Sequence, residues 1–189
     1  MNSWEKVRNH SISLNKWRNE IHIHKMLSDK ILHIPRLISY TDDKLIMQRL
    51  SGPTLFEILT ISNSRQIISK KHINGIVGIL DEIGKSNILH NDLHSKNIIY
   101  HNDDDSFYIV DFGKSLYKPL YKPLSINKIT NYDKLCLLVD VMKITTEIAK
   151  QFAFDFKNIA NISEADYRVL IRSSPTDRKK YLNKILNKK

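Results

Sequence analysis

The stretch ILHNDLHSKNIIY, residues 88–100, sets two histidines, an aspartate and two asparagines between apolar flanks. Ile88-Leu89 and Ile98-Ile99-Tyr100 look like buried strands, so the loop between them is either polar because it is a loop or polar because it handles charge. The residues downstream bear on the choice. "NIIY" (97–100) and "FYIV" (107–110) are short apolar runs joined by the polar "HNDDDS", the pattern of a β-hairpin. Asp111-Phe112-Gly113 ends the second run, so the hairpin carries Asn97 and Asp111 to one end, with Asp92 just ahead of Asn97. A carboxylate and an amide beside a second carboxylate suit a magnesium–phosphate site. Magnesium takes hard oxygen ligands, usually only one or two from protein, the rest from phosphate and water. Asp92 is then left to orient and deprotonate an incoming hydroxyl.

The flanking sequence reads as α+β. Residues 11–29 place Leu14, Trp17, Ile21 and Met26 on one face of a helix. "IPRLISY" and "DKLIMQRL" are two strands around the tip Thr41-Asp42-Asp43, and "SGPTLFEIL" is a Gly-Pro break followed by a short helix. Ile67, Ile68, Ile73, Ile76, Val77, Leu80 and Ile83 predict a helix from Ser64 to about Lys85. Beyond the hairpin, Pro119 and Pro123 mark an irregular loop. One long helix is expected over 131–152, and two weaker ones start at Ser163 and at Ser174-Pro175. Strands first and mostly helices afterwards is an α+β order.

Composition narrows the function classes. With 41% hydrophobic residues, 189 residues suffice for one domain with a real core. No apolar run approaches the ~18 residues of a membrane span, and the polar, mixed-charge start predicts no secretory leader. The single cysteine, Cys136, rules out an internal disulfide and suits the cytoplasm; inside "KLCLLVDVM" it reads as a buried small hydrophobe. The net charge of +10 favours polyanionic partners, and the basic tail 168–189 either contacts nucleic-acid phosphates or is a solvated face. The remaining histidines form no ligand spacing with cysteine.

"HNDLHSKN" (90–97) matches H-x-D-L-x-x-x-N, and "VDFG" (110–113) matches D-F-G. Together they resemble the catalytic and metal-binding loops of the protein kinase superfamily. The resemblance implies ATP and magnesium as cofactors, Asp92 as catalytic base, Asn97 and Asp111 as metal ligands, and His90 packed around Phe112. "LIMQRLSGPTL" is similar to the kinase hinge, so the backbone near Gln48 to Leu50 would meet adenine. Glu20 stands where the αC glutamate stands, and Asp133 where a buried aspartate braces the catalytic loop. Only 22 positions separate Asp111 from Asp133 and no A-P-E triplet occurs, which resembles compact atypical kinases: the RIO kinases and the kinase of the KEOPS tRNA-modification complex. His94 stands where serine/threonine kinases usually carry lysine; that form of the loop is also similar to lipopolysaccharide, choline and ethanolamine kinases.

The expected fold is therefore a truncated protein kinase-like one. A reduced N-lobe spans residues 1–47; a helical C-lobe with the catalytic hairpin spans 48–189. The chain departs from the pattern in lacking G-x-G-x-x-G and a V-A-I-K setting. Lys6, 14 positions before Glu20, is the candidate phosphate-clamping lysine, and Lys16 reads as a surface partner. The chain is then a minimal kinase or a degenerate relative serving as a binding module. Retention of Asp92, Asn97 and Asp111 favours activity, because an unpartnered buried carboxylate costs several kcal/mol. A protein Ser/Thr hydroxyl is the first acceptor by analogy. An amino-alcohol or sugar acceptor would instead use Asp140, Glu147 and Asp155.

Overall fold

In the computed structural model the described residues are 3–9, 11–61, 68–117, 126–174, 176, 177, 180, 181, 183 and 184, with backbone alone at 126–130. Strands β1 (Ser3–Val7), β2 (Leu37–Tyr40) and β3 (Lys44–Gln48) form an antiparallel sheet in the order β1-β3-β2. Trp4 pairs with Met47 and Lys6 with Leu45. Facing pairs point to one side of a pleated sheet, so these four share a face. Leu45 and Met47 pack on Trp17 and Ile21 of helix α1 (Leu14–Ser28), with Leu14 and Leu37 at the margin, as a small core of their own.

Ser13 caps α1 by accepting from Lys16 N. The sequence periodicity exposes one buried stripe on this helix, but the structure buries two. Ile23 and Leu27 are fully buried in the main core, while Met26 is only partly covered. Between the stripes Glu20 and His24, one turn apart, are buried polar groups. The helix is sandwiched between the sheet and the helical body, a tertiary circumstance no single stripe announces.

The connector 51–54 is laced to the catalytic hairpin. Tyr100 N donates to Pro53 O (2.9 Å) and Asn102 N to Ser51 O (3.1 Å). A Cβ on Gly52 would sit 2.1 Å from Tyr100 O, so only glycine lets the two backbones approach this closely. Thr54 and Glu57 form a capping box for helix α2 (Leu55–Thr60). Helix α3 (Lys70–Lys85) follows, its face of Ile73, Ile76, Leu80 and Ile83 buried as the spacing predicts. The expected start at Ser64, and Ile67, lie outside the described residues.

Strand β4 (Ile88–Leu89) leads into the loop, a 3₁₀ turn covers Ser95–Asn97, and β5 (Ile98–His101) pairs with β6 (Ser106–Ile109) as the predicted hairpin, Ile98 facing Ile109. Strand β7 (Leu116–Tyr117) pairs with β4. Pro119 and Pro123, read as loop, lie outside the described residues.

The single helix expected over 131–152 is two: α4 (Ile126–Val141) and α5 (Glu147–Ile159). Tight bonds from Lys143 N to Asp140 O (3.1 Å) and Ile144 N to Val141 O (2.9 Å) close the first. Thr146 then starts the second, accepting from Ala149 N at 3.2 Å and donating to Leu59 O at 2.5 Å. The apolar periodicity runs across the break, while the capping threonine decides it. Ser163 caps α6 (Glu164–Arg172) as expected. Ser174 accepts from Asp177 N (3.2 Å); Pro175 lies outside the described residues. The fold is α+β, with small sheets and a mostly helical body. Among the described residues no helix is long and apolar enough to cross a membrane.

Candidate active site

The loop 88–97 is polar because two aspartates of α4 hold its backbone from below. Asp133 is buried and accepts from His90 N (2.8 Å) and Asn91 N (3.1 Å), one oxygen each. Burial pushes its pKa up to about 7 against the pull of those two donors. Asp140, seven residues on and on the same face of α4, accepts from Ser95 N (2.8 Å) and Ser95 Oγ (2.7 Å). Asn91 bends the chain through φ 63°, a left-handed value that asparagine tolerates.

Phe112 is fully buried, with the His90 ring 5.0 Å and the His24 ring 5.8 Å from its centroid. His90 Nε2 donates to Val110 O (3.0 Å) and His24 Nε2 to Pro35 O (2.7 Å). A carbonyl only accepts, so in both rings Nε2 carries the proton, and burial lowers both pKa values. Ser115 Oγ donates to His90 O (3.0 Å), and Asn19 Nδ2 to Ser115 O (3.1 Å). The segment after Gly113 is thus tied to both the loop and α1.

Lys6, Glu20 and Asp111 meet, although Lys6 and Asp111 lie 105 residues apart in the chain. Lys6 Nζ is 2.5 Å from Glu20 Oε1 and 2.8 Å from Asp111 Oδ1. Burial disfavours charge on all three, with different outcomes. Glu20 is left with a raised pKa despite Lys6. For Asp111 the bond and charge of Lys6, aided by Gly113 N–H, outweigh burial and lower the pKa. For Lys6 the two carboxylates outweigh burial and raise it. Asp111 adopts φ 64°, and Gly113 leaves room for the cluster. A Cβ there would lie 3.1 Å from Glu20 Oε2 and 3.3 Å from Asp111 Oδ1.

These groups line a cleft of about 370 Å³ together with Trp4, His24, Met47, Gln48, Leu50 and Asn97. One part of its wall is apolar, and Lys6, Glu20, Asp111 and Asn97 supply the charge and polarity. Gln48 N is already given to Arg36 O (2.9 Å). Asn97 Nδ2 donates to Asp92 O (3.1 Å), so its Oδ1 is the atom left to meet a cation. Asp92 itself opens on an adjoining groove with Asn91, His94, Lys96, Cys136 and Asp140. Among the described residues no cluster of three His, Cys, Asp or Glu side chains could hold a metal unaided. The donor set is hard oxygen and sparse, which fits magnesium bound largely through phosphate and water.

The structure brings Lys6, Glu20, Gln48, Leu50, Asn97 and Asp111 into one cleft, with Asp92 hydrogen-bonded to its edge. It does not bring Asp140, Glu147 and Asp155 together. Asp140 is spent on Ser95, while Glu147 and Asp155 line a separate groove with Ile73 and Phe152. His94 is half-buried, and Cys136, expected to be buried, is only partly covered. In the basic tail Arg168 pairs with Glu164 and Lys180 with Asp177; Arg178, Lys179, Lys188 and Lys189 lie outside the described residues. Two functional placements escape the sequence. The seven-residue spacing of Asp133 and Asp140 signals a shared helix face, but the motif itself names only the first. Lys114, whose Nζ lies 2.9 Å from Asp92 Oδ2, carries no signal beyond following Gly113.

Comparison with known proteins identifies the family. The family described as the ABC1 atypical kinase-like domain matches residues 15–136. The chain is also similar to the "Probable bifunctional tRNA threonylcarbamoyladenosine biosynthesis protein" of Methanocorpusculum labreanum (strain ATCC 43576 / DSM 4855 / Z). The two are 26% identical over 135 residues, which is 70% of this chain and 22% of the relative. The chain thus spans about a fifth of that protein's length.

Proposed function

The chain belongs to the ABC1 atypical kinase-like family, and from that premise we propose that it is an ATP- and magnesium-dependent phosphotransferase. The observation that carries the proposal is the meeting of Lys6 with both Glu20 and Asp111, at 2.5 and 2.8 Å, in a cleft shared with Asn97. A lysine held between a helix carboxylate and the carboxylate before Phe112-Gly113 has no packing role that a neutral side chain would not fill more cheaply. Its place suits charge neutralisation, on which phosphoryl transfer chiefly relies.

In this reading residues 1–47 act as a reduced N-lobe and 48–189 as the C-lobe. The apolar wall by Met47 and Leu50 takes the base. Because Gln48 N is already used, hydrogen bonding to the base falls to the backbone after it. Lys6, steadied by Glu20, faces the phosphates. Asp111 Oδ and Asn97 Oδ1 hold magnesium, which when bound supplies the positive charge that offsets the phosphates. Asp92 accepts the proton of the acceptor hydroxyl, its loop held still by Asp133 and Asp140.

The first acceptor is a protein Ser/Thr hydroxyl. The amino-alcohol reading is weakened by the spending of Asp140 and the remoteness of Glu147 and Asp155. The relative's printed role in tRNA modification makes a partner in such a system a second reading, supported by the net charge of +10. The test is transfer of radiolabelled γ-phosphate to a panel of protein, amino-alcohol and sugar acceptors. Wild type is expected to label a protein, and Asp92→Ala to lose about 100-fold or more. Equal labelling by the two would sink the assignment, and nucleotide binding without turnover would favour a binding module.

A further inference from the structure

His94 stands where the catalytic loop of serine/threonine kinases carries lysine, so the loop lacks that cation beside Asp92. Lys96, two residues on, lays its ammonium over the Phe56 ring at 4.7 Å from the centroid. The charge that reaches Asp92 comes from another segment: Lys114 Nζ lies 2.9 Å from Asp92 Oδ2. The Lys114 main chain is pinned to the same loop. Asn91 Nδ2 donates to Lys114 O (3.1 Å), and Asn91 N is held by Asp133 (3.1 Å). The next residue gives Ser115 N to Phe112 O (3.0 Å) and its hydroxyl to His90 O (3.0 Å). The Lys114 side chain is 68% exposed, and its fixed backbone presents the ammonium to the carboxylate. An exposed pair of this kind adds little to stability. Stability alone is therefore a weak account of a lysine delivered to this point by so many backbone bonds.

We infer that Lys114 is a positioning residue for Asp92, supplying from the segment after Gly113 the cation that the loop has at position 94 in serine/threonine kinases. It fixes the direction of the carboxylate and offsets its charge. When Asp92 takes the hydroxyl proton its charge is lost, and the ammonium is released from the pair into the site. This inference rests on Asp92 being the base.

Two measurements test it. The first needs no turnover: the whole chain is treated with a water-soluble acetylating ester, and the rate at each lysine is read by mass spectrometry. In Asp92→Asn, Lys114 is expected to react about threefold faster, the free-energy equivalent of a modest exposed ion pair. Lys85 and Lys150, paired with Glu82 and Glu147, serve as unchanged references. Equal Lys114 rates in the two proteins overturn the inference.

The second is kinetic. Lys114→Met is expected to lower kcat about tenfold or more, with the KM for ATP and the melting temperature unmoved and Lys114→Arg restoring most of the rate. A Lys114→Met enzyme within twofold of wild type, or an arginine no better than methionine, overturns it as well. Failure here is separable from failure of the functional reading. Silent Lys114→Met beside a dead Asp92→Ala removes only the role of Lys114, whereas an active Asp92→Ala removes the base itself.

Discussion

On the helical side of the cleft, the loop bearing Asp92 and Asn97 is fastened through its backbone. Asp133 takes two consecutive N–H groups, Asp140 takes a third, and His90 is wedged on Phe112. On the sheet side, Lys6 sits on β1, an edge strand paired with β3, over a core of only four buried side chains among the described residues. Ion pairs to Glu20 and Asp111 bind it across the cleft. Groups proposed to act together are therefore held by supports of unequal stiffness. Backbone bonds to buried carboxylates fix position closely, because removing either partner leaves an unsatisfied buried group. An ion pair on an edge strand permits adjustment, which suits the phosphate-facing role proposed for Lys6.

On that contrast, breaking the helical side should damage fold and activity together, and breaking the sheet side should damage activity far more than fold. Asp133→Ala orphans two N–H groups and is expected to cost about 3 kcal/mol or more with loss of all transfer. Urea unfolding reads the first and the γ-phosphate assay the second; a fully stable variant would refute the brace. Lys6→Met should lower the urea midpoint less than Asp133→Ala does, because buried Glu20 can take up a proton once its partner is gone, while lowering kcat/KM about 100-fold, or roughly 2.7 kcal/mol of transition-state stabilisation. A large loss of stability with intact turnover would reverse the comparison. Gly113→Ala presses on Glu20 and Asp111 by a few tenths of an ångström. A cost of about 1 kcal/mol, roughly fivefold in nucleotide affinity, is expected by titration.

The pH dependence sharpens the contrast further. Burial holds His24 and His90 below their ordinary 6.5. As pH falls through that value the unfolded chain takes up two protons that the folded chain refuses, and stability falls. Asp133 acts oppositely. Its folded pKa of about 7 lies above the ordinary 3.8, so the folded chain gains the proton first and stability rises as pH falls over the same window. Glu20, whose pKa burial also raises, acts in the same sense as Asp133, so the net loss stays below about 1.4 kcal/mol per pH unit below 6.5. Melting temperatures at pH 7.5, 6.5 and 5.5 are expected to drop, and more steeply in Asp133→Asn, where the opposing group is gone. A flat profile would show that the two rings are not held neutral.

The hairpin, the capped helix after Gly52-Pro53, and the expectation that 92, 97 and 111 share one neighbourhood were legible because each depends on near neighbours in the chain. Alternation names strands, and a turn of fixed length brings Asn97 and Asp111 side by side. The break between α4 and α5 was not legible, because the hydrophobic repeat continues through it and Thr146 is fixed partly by Leu59, 87 residues away. The hold of Asp140 on the loop was hidden for a similar reason: its Oδ2 accepts from a backbone group 45 residues away. The second buried stripe of α1 depends on what lies on either side of the helix.

By itself the sequence determined the secondary structure around the motifs and the set of charged residues. Lys6 was already the candidate partner of Glu20, and the structure joins them; only the tertiary structure decided the longer-range pairs. Lys6 with Asp111, and Lys114 with Asp92, are joined by chain closure over 105 and 22 positions. A local pattern carries no information about such pairs, because they form only once the core has set the elements in place.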